Sequence, residues 1–140
     1  MKILIVSDTH RRNENYIRAV ERVAPIDMVI HCGDIEGSEY LIAEYAGCPV
    51  QMVMGNNDFF ADLPREKEFV VGTIKREARA RGVDIVMYGH SHKPVVDLGE
   101  DVIAVNPGSL TYPRQEGRRP SFIIMDLDRK GEAHFTINYL

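Results

Sequence analysis

The chain has 140 residues, of which 44% are hydrophobic and 27% are charged, and its formal net charge at pH 7 is -4. This length predicts a single domain, and the composition is that of an ordinary globular protein. The negative charge argues against a protein held on nucleic acid by bulk charge, and no run approaches the roughly 18 apolar residues of a membrane span. Two cysteines are too few for a disulfide framework, so we expect a cytoplasmic protein.

The first half of the chain alternates between continuous apolar runs and segments with helical spacing of apolar residues. The apolar runs predict strands buried on both faces, and the helical segments are bounded by capping residues and prolines. In chain order we expect strand 2–7, a helix that begins at Asn13 and ends before Pro25, strand 28–30, helix 38–46 and strand 50–54.

The second half begins with a polar loop, and most of it has the alternation and turn residues of strands. We expect strand 69–71, a charged helix 73–81, a buried strand 84–88, and strands 95–98, 102–105, 122–127 and 133–139. Alternating strands and helices followed by consecutive strands predict two layers of sheet with helices outside.

Polar side chains recur directly after predicted strands. They are Asp8 and His10 after the first strand, Asp34 after the second, Asn56 after the third, and His90 and His92 after strand 84–88. Because ligands bind beyond the carboxyl ends of strands in open α/β sheets, we expect these groups to form one site. Carboxylate, amide and imidazole groups together suit Mn, Fe, Co, Ni or Zn.

Four short motifs carry these residues in a recognisable order. They are Asp8-Thr9-His10, Gly33-Asp34, Gly55-Asn56-Asn57-Asp58 and Gly89-His90-Ser91-His92. In this order the sequence resembles the calcineurin-like metallophosphoesterases, and Asn106-Pro107-Gly108-Ser109 further resembles their small single-domain phosphodiesterases. The resemblance implies an α/β fold, a four-layer α/β/β/α sandwich of two mixed sheets.

The resemblance also implies a role for each matching residue. Asp8, His10 and His92 would bind a first divalent metal, Asp34 would bridge both metals, and Asn56 and His90 would bind the second. Mn is the expected metal, with Ni, Fe, Co or Zn as alternatives. Asp34 and Asn56 would act as catalytic groups while a metal-bridging hydroxide attacks a small phosphodiester in line. We expect no nucleic-acid or membrane partner, and a homo-oligomer remains open.

The substrate contacts are less determined. Asn57 could contact substrate or only shape its turn, and Arg114 could pair with a phosphate or be an exposed cation. Many relatives have a histidine at the position of Asn57 that protonates the leaving group. An amide cannot do so, and we therefore predict a preference for esters with good leaving groups. His31 is expected to be structural, His134 to have no function, and Asn106 and Ser109 to brace the site.

Relative to the family, the sequence lacks one expected strand. Relatives have a strand ending in His-Gly, whose histidine binds the second metal, but here no histidine lies between His31 and His90. Either the strand is lost or a segment near 72–73 is missing from the sequence, and the unpaired backbone groups that a lost strand would leave favour the second explanation. A real loss would weaken the second metal site and favours the rival hypothesis, a protein-binding scaffold that kept the fold without the chemistry.

Overall fold

The computed structural model describes residues 1–69 and 84–140. The elements in these ranges are β1 (Lys2–Val6), α1 (Glu14–Val23), β2 (Met28–His31), α2 (Glu39–Ala46), β3 (Val50–Met52), β4 (Ile85–Met87), β5 (Pro94–Leu98), β6 (Ile103–Pro107), β7 (Ser121–Leu127) and β8 (Ala133–Tyr139). They agree with the predicted elements to within about two residues at each end. The predicted helix 73–81 and all of strand 69–71 except its first residue lie outside the described ranges.

The strands form two mixed sheets, so the predicted fold class is confirmed. The larger sheet has the order β3-β2-β1-β7-β8, in which β1, β2 and β3 are parallel and β7 and β8 run antiparallel to their neighbours. The smaller sheet has the order β4-β6-β5, with β4 parallel and β5 antiparallel to β6. Because β1, β2 and β3 are parallel, the loops that follow them leave the sheet at the same edge.

Side chains of β1 alternate between two hydrophobic cores. Leu4 and Val6 pack in the core that contains α1 and α2, while Ile3 and Ile5 pack in the core that joins the two sheets. The larger sheet therefore packs against the two helices on one face and against the smaller sheet on the other, which gives three layers. The helix predicted for the fourth layer falls in the undescribed range. Within the described ranges, no helix is long and apolar enough to cross a membrane.

Strand β4 differs from its prediction as a strand buried on both faces. Among the described strands it lies at the edge of the smaller sheet, where Ile85 and Met87 pack into the core between the sheets. The Val86 side chain points the other way and is 42% exposed. Sequence hydrophobicity predicted the strand correctly but could not show that only one face enters the core.

Candidate metal centre

Four predicted ligands converge at the edge where β1, β2 and β4 end. Asp8, His10, Asp34 and His92 each offer a ligand atom, and these atoms all lie within 4.8 Å of one another. The His92 Nε2 atom is 3.0 Å from Asp8 Oδ1, and His10 Nε2 is 3.8 Å from both Asp8 Oδ1 and Asp34 Oδ2. The backbone joins the loops as well, since the N–H of His10 donates to the carbonyl of Asp34 at 3.0 Å.

The Nδ1 atoms of His10 and His92 already have hydrogen-bond partners. Nδ1 of His92 lies 2.7 Å from the carbonyl oxygen of Tyr112, and Nδ1 of His10 lies 2.6 Å from Oε1 of Glu36. A carbonyl or carboxylate oxygen only accepts, so each Nδ1 carries a proton and, in the neutral ring, Nε2 presents a lone pair. These lone pairs are directed at the oxygens of Asp8 and Asp34, which also present lone pairs.

This arrangement fits a divalent cation. Asp8 Oδ1 and His10 Nε2 are buried and have no hydrogen-bond partner. Burial raises the pKa of Asp8 above its ordinary value, and the nearby Asp34 carboxylate raises it further, outweighing the opposite effects of Ser7, His92 and His10. A cation bound by carboxylate oxygens and imidazole nitrogens would satisfy these atoms together and favour the ionised carboxylate.

The backbone around the centre is strained in a consistent way. Several non-glycine residues there adopt left-handed conformations with φ between +46° and +70°, namely Asp8, His10, Asp34, His90 and His92. Each such residue costs on the order of 1 kcal/mol and persists only where its surroundings fix it. Strain concentrated on the predicted ligands indicates that the loops are shaped by the position of those side chains.

The other two predicted ligands meet at the exposed side of the centre. The Nδ1 atom of His90 lies 2.8 Å from Oδ1 of Asn56, and the His90 backbone N–H donates to Asp8 Oδ2 at 3.3 Å. Two ligand atoms that share one ion at bond lengths of about 2.1 Å are separated by about 3 Å when the bonds are perpendicular. Asn56 and His90 are therefore close enough to bind the same ion.

The structure gives contacts for both predicted substrate-binding residues, through the side chain of Asn57 and the backbone of Arg114. Asn57 donates to both oxygens of Asp34, from its backbone N–H to Oδ1 and from its side-chain Nδ2 to Oδ2, each at 2.8 Å. This contact favours the structural alternative for Asn57, which holds the carboxylate of Asp34 in place. Arg114 is exposed, and its backbone N–H donates to the carbonyl of His92 at 3.0 Å.

Asp58 is an organising residue that sequence reasoning missed, although it belongs to a quoted motif. It is 2% exposed, and its carboxylate accepts hydrogen bonds from the backbone N–H groups of Asp34, Ile35, Glu36 and Gly55. The carboxylate therefore ties the loop after β2 to the loop after β3. A Cβ atom at Gly55 would collide with the Asp34 backbone N and carboxylate, which explains the glycine before Asn56.

Residues at the end of β6 and just after it brace the centre from the other sheet, as expected. Asn106 Nδ2 donates to the carbonyl of Gly89 at 2.9 Å, which supports the turn that carries His90. Ser109 Oγ donates to the carbonyl of Asp8 at 3.0 Å. The Ser109 bond links the smaller sheet to the loop after β1, so that both sheets position the ligands.

Glu36 is a second residue that the sequence did not single out, and its contact with His10 leads to a prediction. Replacing Glu36 by Gln should weaken metal binding at the first site about tenfold, because a neutral amide makes the His10 ring a poorer ligand. The measurement is Zn²⁺ affinity by competition with a chromophoric chelator. Glu44→Gln, an exposed change on α2, is the matched control, and unchanged affinity in Glu36→Gln would contradict the assignment.

His31 is fully buried beneath the centre. Its Nδ1 accepts from the N–H of Gly33 at 3.3 Å, so the ring proton sits on Nε2 and donates to Thr9 Oγ1 at 3.1 Å. Burial lowers the pKa of His31 from 6.5 to about 4, against smaller raising effects from nearby carboxylates. The neutral ring thus supports the loops after β1 and β2 in a structural role.

This depressed pKa predicts a pH-dependent stability. Between pH 6.5 and about 4 the unfolded chain binds a proton at His31 that the folded chain does not. The free energy of unfolding therefore decreases as the pH is lowered across this window. The contribution is about 3 kcal/mol. Urea unfolding with EDTA from pH 7 to 4 should give a shallower dependence for His31→Gln than for the wild type or the exposed control His134→Gln. An equal pH dependence of stability in His31→Gln and the wild type would refute this prediction.

Comparison with known proteins agrees with this geometry. The profile of the calcineurin-like phosphoesterase superfamily domain matches residues 1–76 and 70–130. A probable metallophosphoesterase of Methanocaldococcus jannaschii is 32% identical over 136 residues, covering 81% of this chain and 70% of that protein. The chain belongs to the calcineurin-like phosphoesterase superfamily. The family resemblance of its four motifs is therefore confirmed, and with it membership of a metal-dependent family.

This phosphoesterase is also similar to one further curated relative and to solved structures. A phosphodiesterase of Methanocaldococcus jannaschii is 29% identical over 139 residues, covering 77% of this chain and 83% of that protein. The structure of an archaeal phosphodiesterase is 27% identical with a TM-score of 0.64, covering 99% of this phosphoesterase and 100% of that chain. Vps29 of Entamoeba histolytica complexed with Zn²⁺ has a TM-score of 0.70 at 18% identity, covering 99% of each chain, and shows the fold alone.

Proposed function

We propose that this phosphoesterase is a metal-dependent phosphodiesterase that hydrolyses small phosphodiesters at the centre formed by Asp8, His10, Asp34 and His92. The observation that carries the proposal is a cluster of two carboxylates and two imidazoles whose ligand atoms all lie within 4.8 Å of one another, and in which Asp8 Oδ1 and His10 Nε2 have no hydrogen-bond partner. When bound, two divalent ions would supply Lewis-acid activation of the phosphoryl group and of water. Mn is the proposed metal.

The side chains around this centre have distinct proposed roles in binding the ions and the substrate. Asp34 would bind both ions, and Asn57 holds its carboxylate through two hydrogen bonds. Asn56 would bind the second ion through Oδ1 and use its Nδ2–H groups to stabilise charge on a phosphoryl oxygen. Because Asn57 cannot supply a proton, the leaving group takes its proton from water, which supports the preference for good leaving groups.

The diester assignment rests on relatives. The phosphodiesterase and the archaeal phosphodiesterase structure named above share 29% and 27% identity with this chain. The formal charge of -4 argues against a nucleic-acid strand as the substrate. We therefore propose a small diester, and a cytoplasmic location and homo-oligomer formation stay predictions.

The second ion should bind more weakly than the first. Among the described residues its proposed ligands are Asp34, Asn56 and His90, and both Asn56 and His90 are exposed. We also propose that the sequence lacks a segment near 72–73 that would supply a further histidine. In support, the family profile matches in two pieces that overlap at 70–76, and a 159-residue alignment with a Mycoplasma pneumoniae relative covers 99% of these 140 residues. Intact mass spectrometry of the natural protein would show whether it contains this additional segment.

Hydrolysis of bis(4-nitrophenyl) phosphate tests the enzyme against the scaffold alternative. We expect turnover with added Mn²⁺, loss of turnover with EDTA, and slower hydrolysis of 4-nitrophenyl phosphate than of the diester. His134→Gln, a change at an exposed histidine on β8, is the matched control and should retain full activity. Absence of metal-dependent turnover on either ester would favour the scaffold, and a faster monoester reaction would overturn the diester assignment.

A further inference from the structure

A groove of about 380 Å³ lies beside the metal centre. Its lining includes Glu36, which holds His10, and Asn57, which holds Asp34. The groove is therefore next to the two residues, Glu36 and Asn57, that contact the proposed ligands His10 and Asp34. Its volume falls in the range of small-molecule sites, about 300–1,000 Å³, so part of a substrate can enter it.

Two consecutive aromatic side chains form one wall of this groove. Phe59 is 78% exposed and Phe60 is 103% exposed, although exposing large apolar rings to water is unfavourable. Both follow Asp58, whose carboxylate is held by four backbone N–H groups, and the N–H of Met54 donates to the carbonyl of Pro64 at 2.8 Å across the base of the loop. The rings are thus displayed on a loop that is anchored at both ends.

The charges in the groove restrict what can bind there. Among the described residues, four carboxylates and one cation line it, namely Glu36, Glu39, Asp58 and Asp62 with Arg11. Arg11 is partly committed, because its Nε donates to the carbonyl of Glu36 at 2.6 Å. This excess of carboxylates disfavours a second phosphate or a nucleic-acid backbone and favours a neutral group with aromatic faces.

We propose that this groove is a specificity subsite that takes a neutral aromatic substituent of the phosphate ester, such as an aryl ring or a nucleobase, against Phe59 and Phe60. The proposal rests on the proposed function, since it assigns the phosphate to the neighbouring metal centre. The carboxylates disfavour anionic substituents, and the rings provide stacking surfaces that any aromatic group can use. The subsite therefore selects aromatic over small alkyl esters.

Binding of two phosphonates tests this subsite without requiring turnover. Phenylphosphonate and methylphosphonate present similar charged groups to the metal centre and differ in the substituent offered to the groove. We expect Zn²⁺-loaded wild type to bind phenylphosphonate about tenfold more tightly by isothermal titration calorimetry. In the double variant Phe59→Ala/Phe60→Ala this preference should fall to about twofold or less, with methylphosphonate affinity unchanged. Tyr45→Ala, an exposed aromatic on α2 outside the groove lining, should keep the full preference.

Each result separates the groove from the metal centre. Equal affinities in the wild type, or a preference that survives in the double variant, would overturn the subsite. Failure of both phosphonates to bind would overturn it too, and diester hydrolysis by the same preparation then reports separately on the proposed function. A preference lost only in the double variant supports the assignment, whatever the rate of hydrolysis.

Discussion

Replacing Asp34 by Asn should lower kcat/KM for bis(4-nitrophenyl) phosphate by on the order of a thousandfold. The change keeps the shape of the side chain but removes the negative charge that faces His10 Nε2 and that we propose both ions share. It also places an amide N–H₂ group against one of the donors of Asn57, both of which now point at the carboxylate. Metal affinity should fall with activity, measured as bound Mn per chain after dialysis.

Stability separates this loss of metal from a loss of folding. In EDTA the free energy of unfolding of Asp34→Asn should lie within about 1 kcal/mol of the wild type, because losing one hydrogen bond is offset by neutralising one of two adjacent buried carboxylates. Asp97→Asn, an exposed carboxylate on β5, is the matched control and should change neither activity nor metal content. Asp34→Asn activity within tenfold of the wild type would remove Asp34 from the proposed centre.

Asp58→Asn should be among the most destabilising single substitutions in the described part of the chain. Each carboxylate oxygen accepts two backbone N–H groups, so converting one oxygen to an amide nitrogen breaks two hydrogen bonds and opposes donor to donor. At about 1–3 kcal/mol for each buried group left unpaired, the expected loss is about 3–5 kcal/mol in the free energy of unfolding. Urea unfolding followed by circular dichroism measures it.

The same substitution should also weaken the metal centre. Asp58 fixes the backbone N–H groups of Asp34 and Glu36, and these two residues position the shared carboxylate and the His10 ring. Asp62→Asn, an exposed change in the same loop, controls for the loop itself and should lose less than about 0.5 kcal/mol. Equal stability of the Asp58 and Asp62 variants would show that the four hydrogen bonds do not hold the two loops together.

Sequence periodicity predicted most elements because their cause is local. The continuous apolar run of Ile3, Leu4, Ile5 and Val6 is visible in the sequence and predicts a strand buried on both faces, which is how β1 lies between the two cores. The edge position of β4 was not predictable, because one exposed residue in an apolar run has no local signal. A strand's neighbours are decided by pairing across the chain, as in the parallel register of Ile85 with Ile103.

For the site residues, too, the local sequence predicted the residue types, while contacts distant in sequence decided the geometry. The order of Asp8, His10, Asp34, His90 and His92 along the chain indicated the family and the residue types a metal needs, since ligand chemistry resides in individual side chains. Which atoms face each other was decided by contacts distant in sequence, such as Nδ1 of His92 on the Tyr112 carbonyl and the carboxylate of Asp58 on the loop after β2.

The sequence by itself therefore determined the fold class, the family and the candidate ligands, because apolar periodicity and short motifs are properties of neighbouring residues. Only the tertiary structure decided that Glu36 and Tyr112 orient the two histidines, that Asn57 serves Asp34, and that Phe59 and Phe60 stand in a groove beside the centre. The physical reason is that hydrogen bonds and burial at this site join residues 20 or more positions apart, and their partners are set by the packing of the two sheets.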